Sequence, residues 1–197
     1  MIITKEDIRA ALSKHKRKII SEEEHPGFRK AAVLITLFPK EGELHVLLTV
    51  RTDEVETHKG QISCPGGMCN TEDVDATATA LRETEEEIGI PPSIIEILGS
   101  IDDHATPTGF IVTPVVGYLT IKPELRISKA EVADVFGVPL SVFIERKNAR
   151  TETMTRDGKK HLVWYFDYGE RTIWGATARM LVNFADVVAG GKDKEQK

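Results

Sequence analysis

Gly66-Gly-Met-Cys-Asn-Thr-Glu-Asp-Val-Asp-Ala-Thr-Ala-Thr-Ala-Leu-Arg-Glu-Thr-Glu-Glu-Glu-Ile-Gly89 decides how this chain is read. The spacing predicts a helix over Ala76–Ile88, preceded by a Pro65–Gly67 break and stopped by Gly89 and then Pro91 and Pro92. At roughly 100° per residue, Thr77, Leu81, Thr84 and Ile88 fall on one stripe, expected to face a core. Glu83, Glu86 and Glu87 fall together on the opposite side, where residues three and four apart crowd one another. Acids near a helix C-terminus oppose the helix dipole, and like charges add to the cost. A divalent cation removes both penalties, and Mg²⁺ favours hard oxygen ligands of this kind. On the acids alone a solvated face is the ordinary reading; the residues around them reverse it.

Outward from this helix, Lys30–Leu37 and Leu44–Arg51 are apolar, β-branched runs joined by a Lys40–Gly42 turn, and so predict a hairpin. A polar loop, Thr52–Lys59, and a short Gln61–Cys64 segment follow. Ile94–Ser100, Phe110–Ile121 and Val135–Leu140 read as strands, with a helical turn near Ser141–Glu145. Leu162–Tyr168 and Arg171–Trp174 form a second hairpin across Gly169–Glu170, and Ala176–Val188 is a closing helix. Met1–Ile20 reads as an amphipathic helix with Thr4 and Asp7 as a capping box. The division expected is an N-terminal helix and linker (1–27), a main domain (28–189) and a charged tail (190–197). The mixture of hairpins and few helices points to an α+β or αβα architecture.

The 197 residues suit one domain with a real core, and 41% hydrophobic with 29% charged residues reads as soluble and globular. A net charge of −5 argues against a broad nucleic-acid or membrane surface. No apolar run approaches a membrane span, the first twenty residues lack a signal-peptide core, and two cysteines make no disulfide framework, so a cytoplasmic setting is expected.

The Gly66–Gly89 stretch resembles the Nudix box, G-x5-E-x7-R-E-U-x-E-E-x-G-U, where U is apolar. Arg82, Glu83, Glu86, Glu87, Gly89 and Ile90 match, and Thr84 matches in part. With one residue inserted, Gly67 and Asp73 take the first Gly and first Glu positions. Leu47-Leu-Thr-Val-Arg51, Thr57-His-Lys-Gly-Gln61, Pro65-Gly-Gly and Asp73 resemble the coenzyme A pyrophosphatase branch of that family, and the resemblance extends from about Ala31 to Leu181. Departures from the branch fall at Glu56, Cys64 and Asn70.

The resemblance implies an αβα sandwich with a mixed central sheet and a loop–helix–loop catalytic motif. It implies Mg²⁺ or Mn²⁺ held by Glu83, Glu86 and Glu87, with Arg82 orienting the glutamates, and with Glu83 or Glu131 as the base. Arg29, Arg51 and Lys59 are candidates for substrate phosphates, and Gly66 and Gly67 for a close backbone approach. The expected partner is a small nucleotide: coenzyme A or an acyl form, cut to 3′,5′-ADP and the phosphopantetheine half. Two alternatives stand beside it. One is a pyrophosphatase for ADP-ribose, NADH or another nucleotide, which Glu56 and Asn70 favour. The other is a non-catalytic nucleotide-binding domain, which the complete acid set argues against. A homodimer through Ile173–Val188 is a further expectation.

Overall fold

The computed structural model describes residues 3–52, 60–156 and 159–190. Strands β1 (Arg29–Lys40) and β2 (Glu43–Arg51) form the expected hairpin, with Thr36 opposite Leu47. Strand β1 is the hinge of the architecture. It pairs antiparallel with β2 and, on its other edge, parallel with β7 (Phe110–Leu119). Both faces of β1 are covered, Ile35 and Leu37 packing into one core cluster and Ala32 and Leu34 into the other, and this is why its apolar run is nearly continuous rather than alternating.

Around that pair the described residues build a mixed sheet of eight strands, in the order β3 (Ile62–Ser63), β2, β1, β7, β5 (Ile95–Ser100). Strand β4 (Gly66–Met68) pairs with β1, β6 (His104–Ala105) with β7, and β8 (Val132–Pro139) with β2. Helix α2 (Ala76–Ile88) covers one face, where Ala80 and Ile88 meet Ala32, Leu34 and Leu47. The other face carries α1 (Lys5–Lys14), α3 (Leu140–Glu145) and α4 (Gly175–Val188). A small antiparallel sheet, β9 (Ala149–Arg156), β10 (Lys159–Tyr168) and β11 (Arg171–Trp174), packs there through Phe166 and Ile173. Helices on both sides of a mixed sheet give the expected αβα sandwich.

Three expectations need correction. The N-terminal helix covers Lys5–Lys14, not the whole of Met1–Ile20. The Thr4–Asp7 capping box is present, and Ile8 and Leu12 enter the core. Beyond His15 the chain leaves the helix, because Asp102 and Asp103 offer the Lys18 and Ile20 N–H groups carboxylate acceptors at 2.8 and 3.0 Å. The Gly-Gly break is in fact a short strand: Gly66 and Gly67 lie opposite Val33 and Ala32. Strand β8 starts at Val132, three residues before the expected Val135.

Candidate active site

Helix α2 has the predicted boundaries. Asp75 caps it by accepting from the Ala78 N–H at 2.8 Å, and Gly89 ends it in the left-handed region at φ 72°. Its rotation differs from expectation. The buried residues are Thr79, Ala80, Thr84, Glu87 and Ile88, while Thr77 and Leu81 are only half-buried. Glu87 is therefore not on the solvent side; its side chain is 3% exposed. The helix is packed twice, against β1 beneath and β4 on its flank, and that flank is where Glu83 and Glu87 project. The Thr84 hydroxyl is satisfied within the helix, donating to the Ala80 carbonyl at 2.6 Å.

The two glycines of β4 make this flank possible. A Cβ on Gly67 would sit 2.4 Å from the Glu83 carboxylate, and one on Gly66 would sit 2.3 Å from the Ala32 carbonyl oxygen. A side chain at either position would collide with its neighbour. The Gly66 N–H donates to Glu87 Oε2 at 3.3 Å.

Arg82 organises the acids. Its Nε and Nη2 donate to the two oxygens of Asp73 at 3.1 and 2.9 Å, a bidentate pair. Its Nη2 also donates to the Met68 carbonyl at 3.1 Å. Its Nη1 then donates to Glu83 at 2.8 Å and to Glu86 at 3.1 Å. The Arg82 guanidinium, with help from the Asn70 N–H and the Thr79 hydroxyl, holds Asp73 well below the usual carboxylate range. Asp73, which the sequence places at the first acid position of the motif when one residue is inserted, thus clamps Arg82.

Glu87 has weaker support. Burial pushes its carboxyl up to about 8, against the pull of Arg51 and the Gly66 N–H. Arg51 Nη1 lies 3.7 Å from Glu87 Oε1, and the buried Arg51 Nε has no hydrogen-bond partner among the described residues. Burial also raises Glu83, although Arg82 draws it down. The charge of Glu131 raises both Glu83 and Glu87, so the fold brings that distant acid to the cluster. The Glu131 carbonyl accepts from the Thr52 N–H at 3.0 Å, which ties its loop to the end of β2.

Other candidates fall further out. Arg29 lies three residues before Ala32, the partner of Gly67, and its guanidinium rests 4.5 Å from the Phe110 ring centroid. It borders an open cleft of about 430 Å³ with Lys30, Met68 and Asn70, beside the cluster rather than in it. Lys59, with Glu56 and His58, lies outside the described residues. Cys64 is a buried thiol whose pKa burial pushes up to about 12, as suits a small core residue.

Residues 27–158 match the NUDIX domain family model. The chain belongs to the Nudix family. A Nudix hydrolase named NudL, described as uncharacterized, from Photorhabdus laumondii is 37% identical over 160 residues, covering 81% of this chain and 85% of that protein. The mitochondrial Nudix hydrolase 15 of Arabidopsis thaliana is 40% identical over 166 residues, covering 81% of this chain but only 58% of its own length. This chain thus spans little more than half of that plant protein. Among solved structures, a MutT/nudix family protein from Enterococcus faecalis superposes with a TM-score of 0.55 at 18% identity, covering 96% of this chain and 76% of the other. It shares the fold. Among the described residues no helix is long and apolar enough to cross a membrane.

Proposed function

We propose that this Nudix domain hydrolyses a pyrophosphate linkage in a nucleoside diphosphate derivative, with coenzyme A or an acyl-coenzyme A as substrate. The products are 3′,5′-ADP and (acyl-)4′-phosphopantetheine. The reading rests on one observation above all: three glutamates project from the end of one helix, one of them buried, with a single guanidinium, Arg82, bonded to the other two. Buried acids are ordinarily compensated, and these are compensated only in part.

The donor set fits a hard divalent ion, Mg²⁺ or Mn²⁺. Glu83, Glu86 and Glu87 would hold it. As they stand, no such group of acids converges on one point among the described residues, because Glu83 and Glu86 are turned onto Arg82. Glu86 is 55% exposed, so its turning meets little packing resistance. When bound, the ion supplies Lewis acidity to the phosphate oxygens and raises the acidity of nearby water.

The protein's own groups do the rest. Asp73 and Met68 fix Arg82, and Arg82 fixes Glu83 and Glu86. Arg51 offers its unpartnered Nε to a phosphate oxygen at the end of β2. Water attacks one phosphorus, the bridging oxygen leaves with the other phosphate, and Glu131 or Glu83 takes the water proton. The resemblance of Leu47–Arg51, Gly60–Gln61 and Pro65–Gly67 to the coenzyme A pyrophosphatase branch supports the choice of substrate.

A Mg²⁺-dependent hydrolysis panel of coenzyme A, acetyl-coenzyme A, ADP-ribose, NADH, a diadenosine polyphosphate and dGTP tests the reading. Release of 3′,5′-ADP from the two coenzyme A compounds is the expected result. Cleavage of ADP-ribose or NADH instead retains the chemistry and overturns the substrate. No turnover on any of the six, with nucleotide binding intact, leaves a binding domain and overturns the enzyme.

A further inference from the structure

The same face of the sheet that carries α2 has a second feature. At the end of α2 remote from Asp75 lies an apolar cleft of about 540 Å³, walled by Phe38, Leu47, Leu119, Val135 and Leu125. This is the size of a small-molecule site. Among the described residues the charged side chains in its lining are Lys40 and Lys122, with no acid. At its edge Ile121 and Leu125 are left 60% and 40% exposed. Leu47, Leu119 and Val135 belong to the cluster that packs α2 itself.

The cleft is connected to the carboxylates in two ways. Along β8, Val132 stands opposite Arg51 and Val135 in the cleft wall stands opposite Thr49, two residues along β2, a rise of about 7 Å. The segment 120–131 runs from one feature to the other. Residues 120–123 and Leu125 line the cleft, the Arg126 and Ser128 N–H groups cap the Ile88 and Glu87 carbonyls of α2 at 2.9 Å each, and the segment ends at Glu131.

We infer that this cleft receives the acyl chain of an acyl thioester substrate whose pyrophosphate lies at Glu83–Glu87. The inference rests on the hydrolase reading above and deepens it. The pyrophosphate and the acyl group of such a substrate sit at opposite ends of a flexible arm, and here a charged cluster and an apolar cleft share one sheet face, joined by β8 and the segment 120–131. The chain displaces water from Val135 and Leu47, and covers Ile121 and Leu125.

The test compares kcat/KM for acetyl- and decanoyl-coenzyme A in the wild type and in an Ile121→Glu/Leu125→Glu double variant. Both side chains are solvent-exposed, so the fold tolerates the change. Each methylene buried raises kcat/KM by up to about 4-fold, so the wild type is expected to prefer the decanoyl ester by at least about 10-fold. In the double variant that ratio falls to near one. Equal rates in the wild type, or an undiminished ratio in the variant, overturn the inference. A dimer that the variant dissociates without altering the ratio assigns the face to a second copy and overturns it too. If neither ester is cleaved, the hydrolase reading fails separately. Calorimetric binding of decanoyl-coenzyme A then decides: binding weakened at least about 10-fold in the variant upholds the acyl site, and equal or absent binding removes it.

Discussion

Two pairs of acids, one on helix α2 and one in the β5–β6 loop, are treated in opposite ways. Asp102 and Asp103, between β5 and β6, are fully engaged. Asp103 accepts from Arg17, from the Thr113 hydroxyl at 2.8 Å and from the Ile20 N–H at 3.0 Å. Asp102 meets the Lys18 N–H at 2.8 Å, His15 at 2.7 Å and the Asn183 amide at 3.2 Å. Burial pushes Asp102 up, yet these donors together hold it below its ordinary value. Glu87 is buried and Glu83 partly so, and there burial prevails and both values rise. The first pair is a clasp that fastens the N-terminal segment to the sheet. The second is short of positive charge, as the cation site proposed above requires.

If that contrast is right, removing charge has opposite consequences at the two places. Glu87→Gln keeps an acceptor for the Gly66 N–H and removes a costly buried acid. Its melting temperature without metal is expected to be no lower than that of the wild type. Its Mg²⁺-dependent kcat/KM is expected to fall about 10³-fold, equivalent to ~4 kcal/mol of transition-state stabilisation. Near-normal turnover would break the comparison at once. Asp103→Asn should do the reverse. It leaves Arg17 without its carboxylate at a cost of about 2–3 kcal/mol, or roughly 5–10 °C in melting temperature, while kcat/KM below the transition is unchanged.

Asp73 sharpens the account of the site, since it acts through Arg82. Asp73→Ala should lower kcat about 10–100-fold with little change in KM. Asp73→Glu, which restores a carboxylate to clamp Arg82, should recover most of it. Equal losses in both variants would reduce Asp73 to a loop-packing residue.

The smallest effect is expected in acid. Asp102 has a folded value below its ordinary 3.8, so its contribution is present above that pH and is lost as pH falls through the folded value. The difference in melting temperature between wild type and Asp102→Asn should therefore shrink as pH falls below about 4. A difference that grew in acid would contradict the clasp.

The helix boundaries were legible because they depend on local signals: Gly89 and two prolines end the helix wherever it packs. The β1–β2 hairpin was legible for a similar reason. Thr84 and Ile88 of the expected stripe are buried, but the exact rotation of α2 was not legible, because Thr77 and Leu81 satisfy the apolar period as well as Ala80 does, and only β4 on the flank decides between them. Strand β4 itself was hidden because glycines carry no strand preference; its pairing with β1 is tertiary. Strand β9 is polar and exposed along much of its length, so nothing in its pattern marks it. The end of α1 was hidden too, since the acceptors that unwind the chain after His15 lie some eighty-five residues away.

The most direct test of the central claim is Mn²⁺ binding to the substrate-free chain, followed by electron paramagnetic resonance, for wild type, Glu87→Gln and Asp103→Asn. The account predicts saturable binding in the wild type and in Asp103→Asn, and affinity weakened at least about 10-fold in Glu87→Gln. Equal binding by all three, or none by the wild type, would contradict the claim that the partly compensated acids of α2 are there to hold a cation.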